Sequence, residues 1–391
     1  MVKEDGAIMA LDQEKAYDKI KHDYLWKTLE AFHIPLPFIK MAKALYSHAY
    51  MHVAINGILS QPFQVTRGVR QGDPLSCLLF DIVIEPLTCT IRNSPDIQGL
   101  NLPCLEEKLA IKLFADNTNL YLSKEDCLDT VQRILDKWCQ ASGAKFNIEK
   151  TEVIPIGSMA HQLSMINTRK LNPHDNAPLP ESIHIAKDGE ATRMLGAWIG
   201  NRAEDQAPWE TLLDKTKNCL KRWLRTCPSV DRKSLLIQAY VGGLTQFLTQ
   251  TQGMPEHVEK ALNKIINDFI WDDGKGPRVA LEFLSQPKEA GGLNILDIRA
   301  RNDAIDLMWL KTYLDFSPKC QPWAAITDLI LDATAPENTL ARARKNSFLQ
   351  CWNTPERGPR MEYLNDNIKR MLKVAKDYNA NIAAVKLSLQ Q

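Results

Sequence analysis

The chain has 391 residues, of which 45% are hydrophobic and 24% charged, a balance typical of an ordinary folded protein with two or three domains. The formal net charge of +1 excludes a nucleic-acid footprint spread over the whole surface, so any such footprint must be a local patch. The sequence shows neither a membrane-length apolar run nor a signal peptide, so we expect an intracellular protein with no membrane partner. Its nine cysteines lack paired spacing, which argues against a zinc site or a disulfide framework.

The first half of the sequence predicts alternating strands and helices. "AIMALD" (7–12) is typical of a buried strand that ends at Asp12, and helical spacing follows as far as Phe32. Further helices are predicted over 38–49, from Pro74 to Ile91 with a kink at Pro86, and over 125–141. Hairpins are predicted at Asn56-Gly57, over 109–122 and at Asp188-Gly189, with a strand in "KFNIEKTEVIPI" and a loose stretch over 157–182.

Beyond residue 205 the pattern becomes mostly helical. An apolar stripe from Trp209 to Leu224 predicts one helix, and further helices are predicted over 231–250, 255–271, 299–315, 323–333 and 361–388. The sequence therefore predicts an α+β half up to about residue 200, followed by an all-α half.

Two acidic residues could carry chemistry in the first half. Asp12 ends a predicted strand, and Asp116 lies at the tip of the hairpin "KLFADNTNLYL" (112–122). Asp and Asn are ordinary turn residues, so turn formation alone can account for Asp116 and Asn117. Two carboxylates at neighbouring strand ends can also hold hard divalent cations for in-line nucleotidyl transfer. The residues alone leave both interpretations open.

Several segments together resemble one known family. "ALDQEKAYDKIKHDYLWKTLEAFHIP" resembles the first catalytic motif of reverse transcriptases from non-LTR (LINE-type) retrotransposons, and "RGVRQGDPLSCLLFDIVIEPL" resembles their second palm motif. "LFADN" is similar to their Phe/Tyr-Ala-Asp-Asp box. "GAKFNIEKTEV", "RMLGAWIG" and "DFIWDDGKGPRVALEFLSQPKEAGGLNILDIRARNDA" follow in the family's order.

The resemblance implies an RNA-directed DNA polymerase with a right-hand α+β fold. We expect a palm of antiparallel sheet backed by helices, then an all-α thumb and a C-terminal helical region. The expected domains are 1–204 (palm with partial fingers), 205–275 (thumb) and 276–391 (C-terminal helical region). The implied partners are an RNA template, a DNA primer and deoxynucleoside triphosphates. The protein is expected in the nucleus or the cytoplasm, and the resemblance slightly favours the nucleus. The sequence leaves the oligomeric state open.

The resemblance also assigns catalytic roles. Asp12 and Asp116 would bind two magnesium ions in the active form, and Asn117 stands where family members carry a second Asp of the box. Lys150 would neutralise or protonate the departing pyrophosphate, although a solvated lysine is an alternative interpretation.

Four residues would contact the incoming nucleotide. The main-chain carbonyl of Gln13 could add a ligand to the metal ions. Tyr17 would be the aromatic gate beneath the sugar of the incoming nucleotide. Gln71 and Gly72 would face the nucleotide and the template base pair. The alternatives are a core aromatic for Tyr17 and a plain loop for Gly72.

Two parts of the chain would bind the nucleic acid itself. Leu195 and Gly196 would belong to the primer grip, and the helix over 209–227 carries basic residues opposite its apolar stripe, namely Lys217, Lys221, Arg222 and Arg225. The stretch 209–235 holds seven basic residues against three acidic ones. A solvated helix face is the alternative to a duplex-binding one.

Two departures from the family shape the functional hypotheses. Asn117 brings no negative charge to the metals, and only eleven residues precede Asp12, so we expect most of the fingers to be missing and activity to be impaired. One hypothesis is an impaired RNA-directed DNA polymerase. A second is a catalytically inactive retroelement remnant that binds nucleic acid, and a third is a reading frame with no selected function.

Overall fold

The computed structural model describes residues 4–102, 107–203, 206–272, 278–315, 317, 321–334 and 364–378. The chain divides into two compact units. The sheet unit comprises the described residues up to Leu195 together with Gly200–Ala203, and the helical unit comprises Gly196–Ile199 and the described residues from 206 onward. The expected division into palm, thumb and C-terminal region stays a prediction.

The sheet unit is built around a five-stranded sheet. Its helices are α1 (Ala16–Lys19), α2 (His22–Ala31), α3 (Leu36–Ser47), α4 (Pro74–Asn93), α5 (Leu128–Ser142) and α6 (Met159–Thr168). Its strands are β1 (Gly6–Gln13), β2 (Tyr50–Met51), β3 (Ala54–Ile55), β4 (Ile58–Leu59), β5 (Phe63–Gln64), β6 (Ile111–Phe114), β7 (Asn117–Ser123), β8 (Phe146–Ile156), β9 (His184–Ile185) and β10 (Thr192–Met194).

The order of the main sheet is β6-β7-β1-β8-β9, with β1 at its centre. The pairs β6·β7, β7·β1 and β1·β8 are antiparallel, and only the short β9 runs parallel to its neighbour β8. Alternate β1 residues, namely Ala7, Met9 and Leu11, are buried in one core with apolar residues of α2, α4 and α5. The predicted mixed fold with a sheet backed by helices is therefore confirmed.

Several predicted elements differ in detail. The helix expected up to Phe32 is interrupted at residues 20–21, where Lys21 forms a bridge with Arg67. The loose stretch 157–182 contains α6, whose N-terminus is capped by the Ser158 hydroxyl accepting from the His161 amide at 3.3 Å. A hairpin at Asp188-Gly189 was a wrong prediction, because β9 before that turn pairs with β8 instead.

Two predicted features of the sheet unit are confirmed. Asn56 and Gly57 both have positive φ and connect the paired strands β3 and β4, as expected for a two-residue hairpin. The helix α4 begins at Pro74, with the Asp73 carboxylate accepting from the Leu75 amide, and it contains Pro86. Among the described helices, α4 is the one whose length and apolar composition would allow it to cross a membrane. In this fold its Leu79, Val83 and Leu87 are core residues.

The helical unit contains β11 (Ala197–Ile199) and a series of helices. They are α7 (Gln206–Leu224), α8 (Val230–Leu236), α9 (Gly243–Gln252), α10 (Glu256–Ile270), α11 (Leu281–Leu284), α12 (Ile298–Tyr313), α13 (Pro322–Thr334) and α14 (Asp366–Asp377). A π-helical segment over Ile237–Gly242 joins α8 to α9, so one continuous helical rod covers the predicted helix 231–250. Only part of the helix predicted over 361–388 lies among the described residues.

Candidate active site

Asp12 and Asn117 are direct cross-strand neighbours at one end of the main sheet. In the antiparallel pair of β1 and β7, Asp12 lies opposite Asn117, and Asp116 immediately precedes Asn117. Asp12 also lies beside a register shift in the pairing of β1 with β8, between Ala10 and Asp12. Such bulges redirect side chains and are common beside active sites. The fold therefore brings the two predicted acidic positions to neighbouring strand ends.

The turn that carries Asp116 has a strained backbone. Phe114 pairs with Asn117, so the connection between β6 and β7 consists of only Ala115 and Asp116. Ala115 has a φ of 51°, in the left-handed region that costs an L-residue roughly 1–2 kcal/mol. Strain of this kind collects at functional sites. Asn117 is the first residue of β7 rather than part of the hairpin tip, and its amide donates to the Asp116 carboxylate at 3.4 Å.

Lys150 lies on β8 next to the acidic positions. Its ammonium is 3.4 Å from an Asp12 carboxylate oxygen, and the two side chains are 67% and 32% exposed. Asp12 is therefore partly exposed to solvent and already pairs with the ammonium of Lys150. The donor set consists of two carboxylates and an amide, all oxygen donors of the kind that hard divalent cations prefer, so these residues fit a divalent-cation site.

Tyr17 is held by an aromatic neighbour. Its ring stacks on Phe80 with centroids 4.6 Å apart and planes inclined by 16°, and its hydroxyl lies near the Cys77 thiol. Partial burial raises the pKa of the Tyr17 hydroxyl, and the contact with Cys77 and the charges of Asp81 and Asp116 raise that pKa further. Tyr17 lies on α1, which begins three residues after the end of β1 and therefore close to Asp12 along the chain.

The "RGVRQGD" segment docks onto the turn after β1. The Val69 amide donates to the Tyr17 carbonyl at 2.6 Å, and the Gly68 amide donates to the Ile20 carbonyl at 2.7 Å. A Cβ on Gly68 would lie 2.7 Å from the Tyr17 carbonyl oxygen, so only glycine permits this close approach. The docking places the Gln71 amide 3.4 Å from the Asp18 carboxylate, to which it donates.

Gly72 and Gln13 occupy contrasting environments. Gly72 has a φ of 86°, and a Cβ there would meet nothing within 4 Å, so the loop faces open space that a ligand could enter. The Gln13 side chain is buried, with its amide donating to the Thr118 hydroxyl at 3.4 Å. Only the main chain of Gln13 is therefore available for the predicted ligand role.

Gly196 and the predicted basic residues belong to the helical unit, whereas Leu195 belongs to the sheet unit. Gly196 has a φ of 86°, and a Cβ there would lie 2.8 Å from the Phe247 ring, which accounts for glycine at this position. The helix predicted over 209–227 ends at Leu224, so α7 carries Lys217, Lys221 and Arg222, and Arg225 follows in the turn directly after it. All four basic side chains are exposed, whereas Trp209, Thr216 and Leu220 of α7 are buried.

A different cluster has three ligating atoms within 4.8 Å of one another, the one such group among the described residues. It consists of Cys127, Asp129 and Asp175, separate from the predicted acidic pair. Asp175 accepts from the Leu128 amide at 2.8 Å, and Asp129 accepts from the Asn176 side chain at 2.8 Å. These hydrogen bonds explain the cluster as an attachment of the 172–176 loop to the start of α5.

Comparisons with known proteins agree with this geometry. A model of the reverse transcriptase (RNA-dependent DNA polymerase) family matches residues 2–195. The chain is 27% identical over 330 residues to the transposon TX1 uncharacterized 149 kDa protein of Xenopus laevis, which covers 82% of this chain and 23% of that protein. It is 25% identical over 304 residues to the Pol polyprotein of the type-1 retrotransposable element R2 of Popillia japonica, covering 75% and 40%.

Two further matches are more limited. The Pol polyprotein of the element R2DM of Drosophila melanogaster is 30% identical over 158 residues, which are 40% of this chain and 14% of that protein. A solved telomerase structure from Candida tropicalis has 13% identity and a TM-score of 0.32, over 80% of this chain and 43% of that one. The chain thus spans less than half of the length of each of these relatives.

Proposed function

The chain belongs to the reverse transcriptase family, with relatives among non-LTR retrotransposon polyproteins, and we propose that it is an RNA-directed DNA polymerase domain weakened by Asn117. The observation that carries the proposal is the juxtaposition of Asp12 with the Asp116–Asn117 turn beside the fixed ring of Tyr17. Asp12 and Asp116 would hold the divalent ions. When bound, such ions activate the primer hydroxyl and stabilise the leaving pyrophosphate.

The other residues of the site then have distinct tasks. In the reaction, the primer 3′-hydroxyl gives its proton to solvent water, and its oxygen forms a bond to the α-phosphorus of the nucleotide. The bond from that phosphorus to the bridging oxygen breaks, which releases pyrophosphate. Lys150, whose ammonium is 3.4 Å from Asp12, would neutralise the pyrophosphate that leaves. Tyr17 would lie beneath the sugar, where its stacking on Phe80 would make the ring a rigid surface.

The alternative function is binding of nucleic acid without catalysis. Asn117 favours it, because an amide opposite Asp12 leaves the site one negative charge short of the family's acidic box. The exposed basic side chains of α7 would then serve a duplex that the chain holds but does not extend.

Primer extension on an RNA template annealed to a DNA primer distinguishes the two functions. The purified chain is given deoxynucleoside triphosphates and magnesium, alongside Asp12→Asn, Asp116→Asn and Asn117→Asp variants. We expect weak incorporation that falls at least about 100-fold in the first two variants, because the ions stabilise the transition state by several kcal/mol. Incorporation that survives Asp12→Asn would contradict the proposal, and binding without incorporation in all forms would favour the alternative.

A further inference from the structure

A shallow groove lies between α9 and α12 within the helical unit. Its volume is about 450 Å³, and its lining includes Gln246, Gln250, Arg301, Ile305, Met308 and Trp309. Pockets of this size hold small molecules or single residues of a larger ligand. A whole amphipathic helix would need a longer apolar groove with anchors over several turns.

Trp309 is held as a rigid platform at this groove. Its indole nitrogen donates to the Gln250 carbonyl at 2.9 Å, and its ring packs edge-to-face on Trp323 with centroids 5.0 Å apart. The side chain nevertheless remains 37% exposed. A fixed and partly exposed aromatic ring loses little conformational freedom on binding, and such rings are what unpaired nucleobases stack on.

Two side-chain amides stand beside this platform. Gln246 and Gln250 are four residues apart on α9, so they lie on the same face of the helix. Both are exposed, and neither side chain has a hydrogen-bond partner among the described residues. A carboxamide offers both donors and an acceptor, which suits the polar edge of any nucleobase.

The floor of the groove carries one positive charge. The half-buried Arg301 donates to the Gly242 carbonyl and to the hydroxyls of Thr245 and Thr249, all of them neutral acceptors. Within the described part of the chain, no carboxylate lies at ion-pair distance from its guanidinium. A partly desolvated cation without an ion pair gives the groove a positive potential, which favours an anionic ligand.

We propose that this groove binds one unpaired nucleotide of a single-stranded nucleic acid. The base stacks on Trp309, its polar edge faces Gln246 and Gln250, and the charge of Arg301 attracts the neighbouring phosphates. This binding concerns the helical unit alone, so it stands or fails independently of polymerase activity.

The test measures the affinity of the full chain for a fluorescein-labelled oligouridylate and for the matching deoxythymidylate by anisotropy. The salt concentration is raised so that stacking, rather than phosphate contacts, dominates the affinity. Trp309→Ala should weaken binding about 5- to 150-fold, corresponding to about 1–3 kcal/mol per stacked base. Trp309→Phe should stay within about threefold of the wild type because a stacking ring remains. Phe283→Ala removes a 72% exposed aromatic of α11 and should leave affinity unchanged.

Photo-cross-linking of an oligonucleotide containing 4-thiouridine provides a second measurement, on the wild-type chain and with no need for a folded variant. Cross-links in peptides from α9 or α12 would support the proposal, and a deoxy version of the probe distinguishes RNA from DNA as the preferred strand. Equal affinities of folded Trp309→Ala and wild type, cross-links confined to other peptides, or no single-strand binding at all would overturn it. Displacement of the oligonucleotide only by apolar peptides would assign the groove to a protein partner instead.

Discussion

Asp12 on β1 and Asn117 on β7 face each other across the central strand pair of the sheet unit. The Cα atoms of antiparallel partners lie about 4.5–5.5 Å apart, so a carboxylate at position 117 would share the space in front of Asp12. The identity of residue 117 therefore sets how much negative charge meets a cation there. The amide of Asn117 instead donates to Asp116, which uses part of the capacity of that carboxylate to accept.

Asn117→Asp should tighten the binding of magnesium and raise any incorporation of nucleotides. Two unit charges 4 Å apart interact by about 4 kcal/mol at the effective dielectric of a protein surface, and about a third of that value gives a tenfold change in affinity. Isothermal titration with magnesium compares the two forms, and Asn119→Asp, at a buried position two residues further along β7, is the matched control. Equal magnesium affinities at position 117 would place this residue outside the coordination shell.

Tyr17→Val should admit ribonucleotides by removing the ring from beneath the sugar. The ring is held in place by stacking on Phe80, and its loss opens the space that it occupies. We expect the ratio of ribonucleotide to deoxynucleotide incorporation to rise at least about tenfold, measured by primer extension with each triphosphate alone. Tyr24→Phe is the control, because Tyr24 packs in the core and donates to the Val83 carbonyl. An unchanged ratio of ribonucleotide to deoxynucleotide incorporation in Tyr17→Val would show that Tyr17 has a purely structural role.

His184 should make the stability of the sheet unit depend on pH. One ring nitrogen lies 2.5 Å from Glu152 and the other 3.0 Å from Glu190, so the imidazolium joins β8 to the turn after β9. Burial lowers the pKa of His184, but the hydrogen bond and charge of Glu152 and the charge of Glu190 outweigh it, so the pKa lies above its ordinary value of 6.5. Lys187 also acts on Glu190 and helps to lower the pKa of that carboxyl.

The sign of the effect follows from the raised pKa. A group whose pKa rises on folding stabilises the protein fully below its unfolded pKa, and this contribution disappears as the pH rises through the folded pKa. The difference in free energy of unfolding between wild type and His184→Gln should therefore be largest near pH 6 and shrink above about pH 7. Urea unfolding at several pH values measures it, with His257→Gln as an exposed-histidine control. A difference that stays constant across this range would show that His184 carries no charge-dependent contact.

The sequence predicted the parts of the fold that depend on local patterns. The hairpin at Asn56-Gly57 and the start of α4 at Pro74 follow from turn and capping chemistry within a few residues. The parallel pairing of β9 with β8 was missed, because a two-residue strand has too little pattern to reveal its partner. The π-helical segment over Ile237–Gly242 was also missed, since its residues have the same apolar spacing as an ordinary helix.

The candidate site likewise combines residues that the sequence predicted with residues that it did not. The motif resemblance supplied Asp12, Asp116 and Tyr17, and the structure brings them into one neighbourhood. Phe80, on which the Tyr17 ring stacks, was not identified from the sequence, because the contact joins residues 63 positions apart in the chain. Gly68 was likewise not identified, because its role depends on contact with a carbonyl 51 residues earlier in the chain. Contacts between residues that are distant in the chain could not be predicted from a single sequence.

The basic side of α7 should bind a primer–template duplex weakly and with a strong dependence on salt. Lys217 and Lys221 are exposed at successive turns of α7, and Arg225 is exposed directly after its last residue. Lys233 is buried and pairs with Asp272, so it cannot contribute. Phosphate contacts release condensed counterions, so two to four of them give a slope of log affinity against log salt of about −2 to −4.

Replacing Lys217, Lys221 and Arg225 by Gln should flatten this slope by about one to three without unfolding the chain, because all three side chains are exposed. The matched control replaces three exposed lysines elsewhere in the helical unit, Lys264, Lys369 and Lys376, and lowers the net charge by the same amount. Duplex binding by anisotropy over a series of salt concentrations measures both triple variants. If the salt slope falls equally in both triple variants, the net charge of the chain governs binding and the basic side of α7 is only a solvated face. If the slope falls only in the variant of Lys217, Lys221 and Arg225, the phosphates lie along this side of α7.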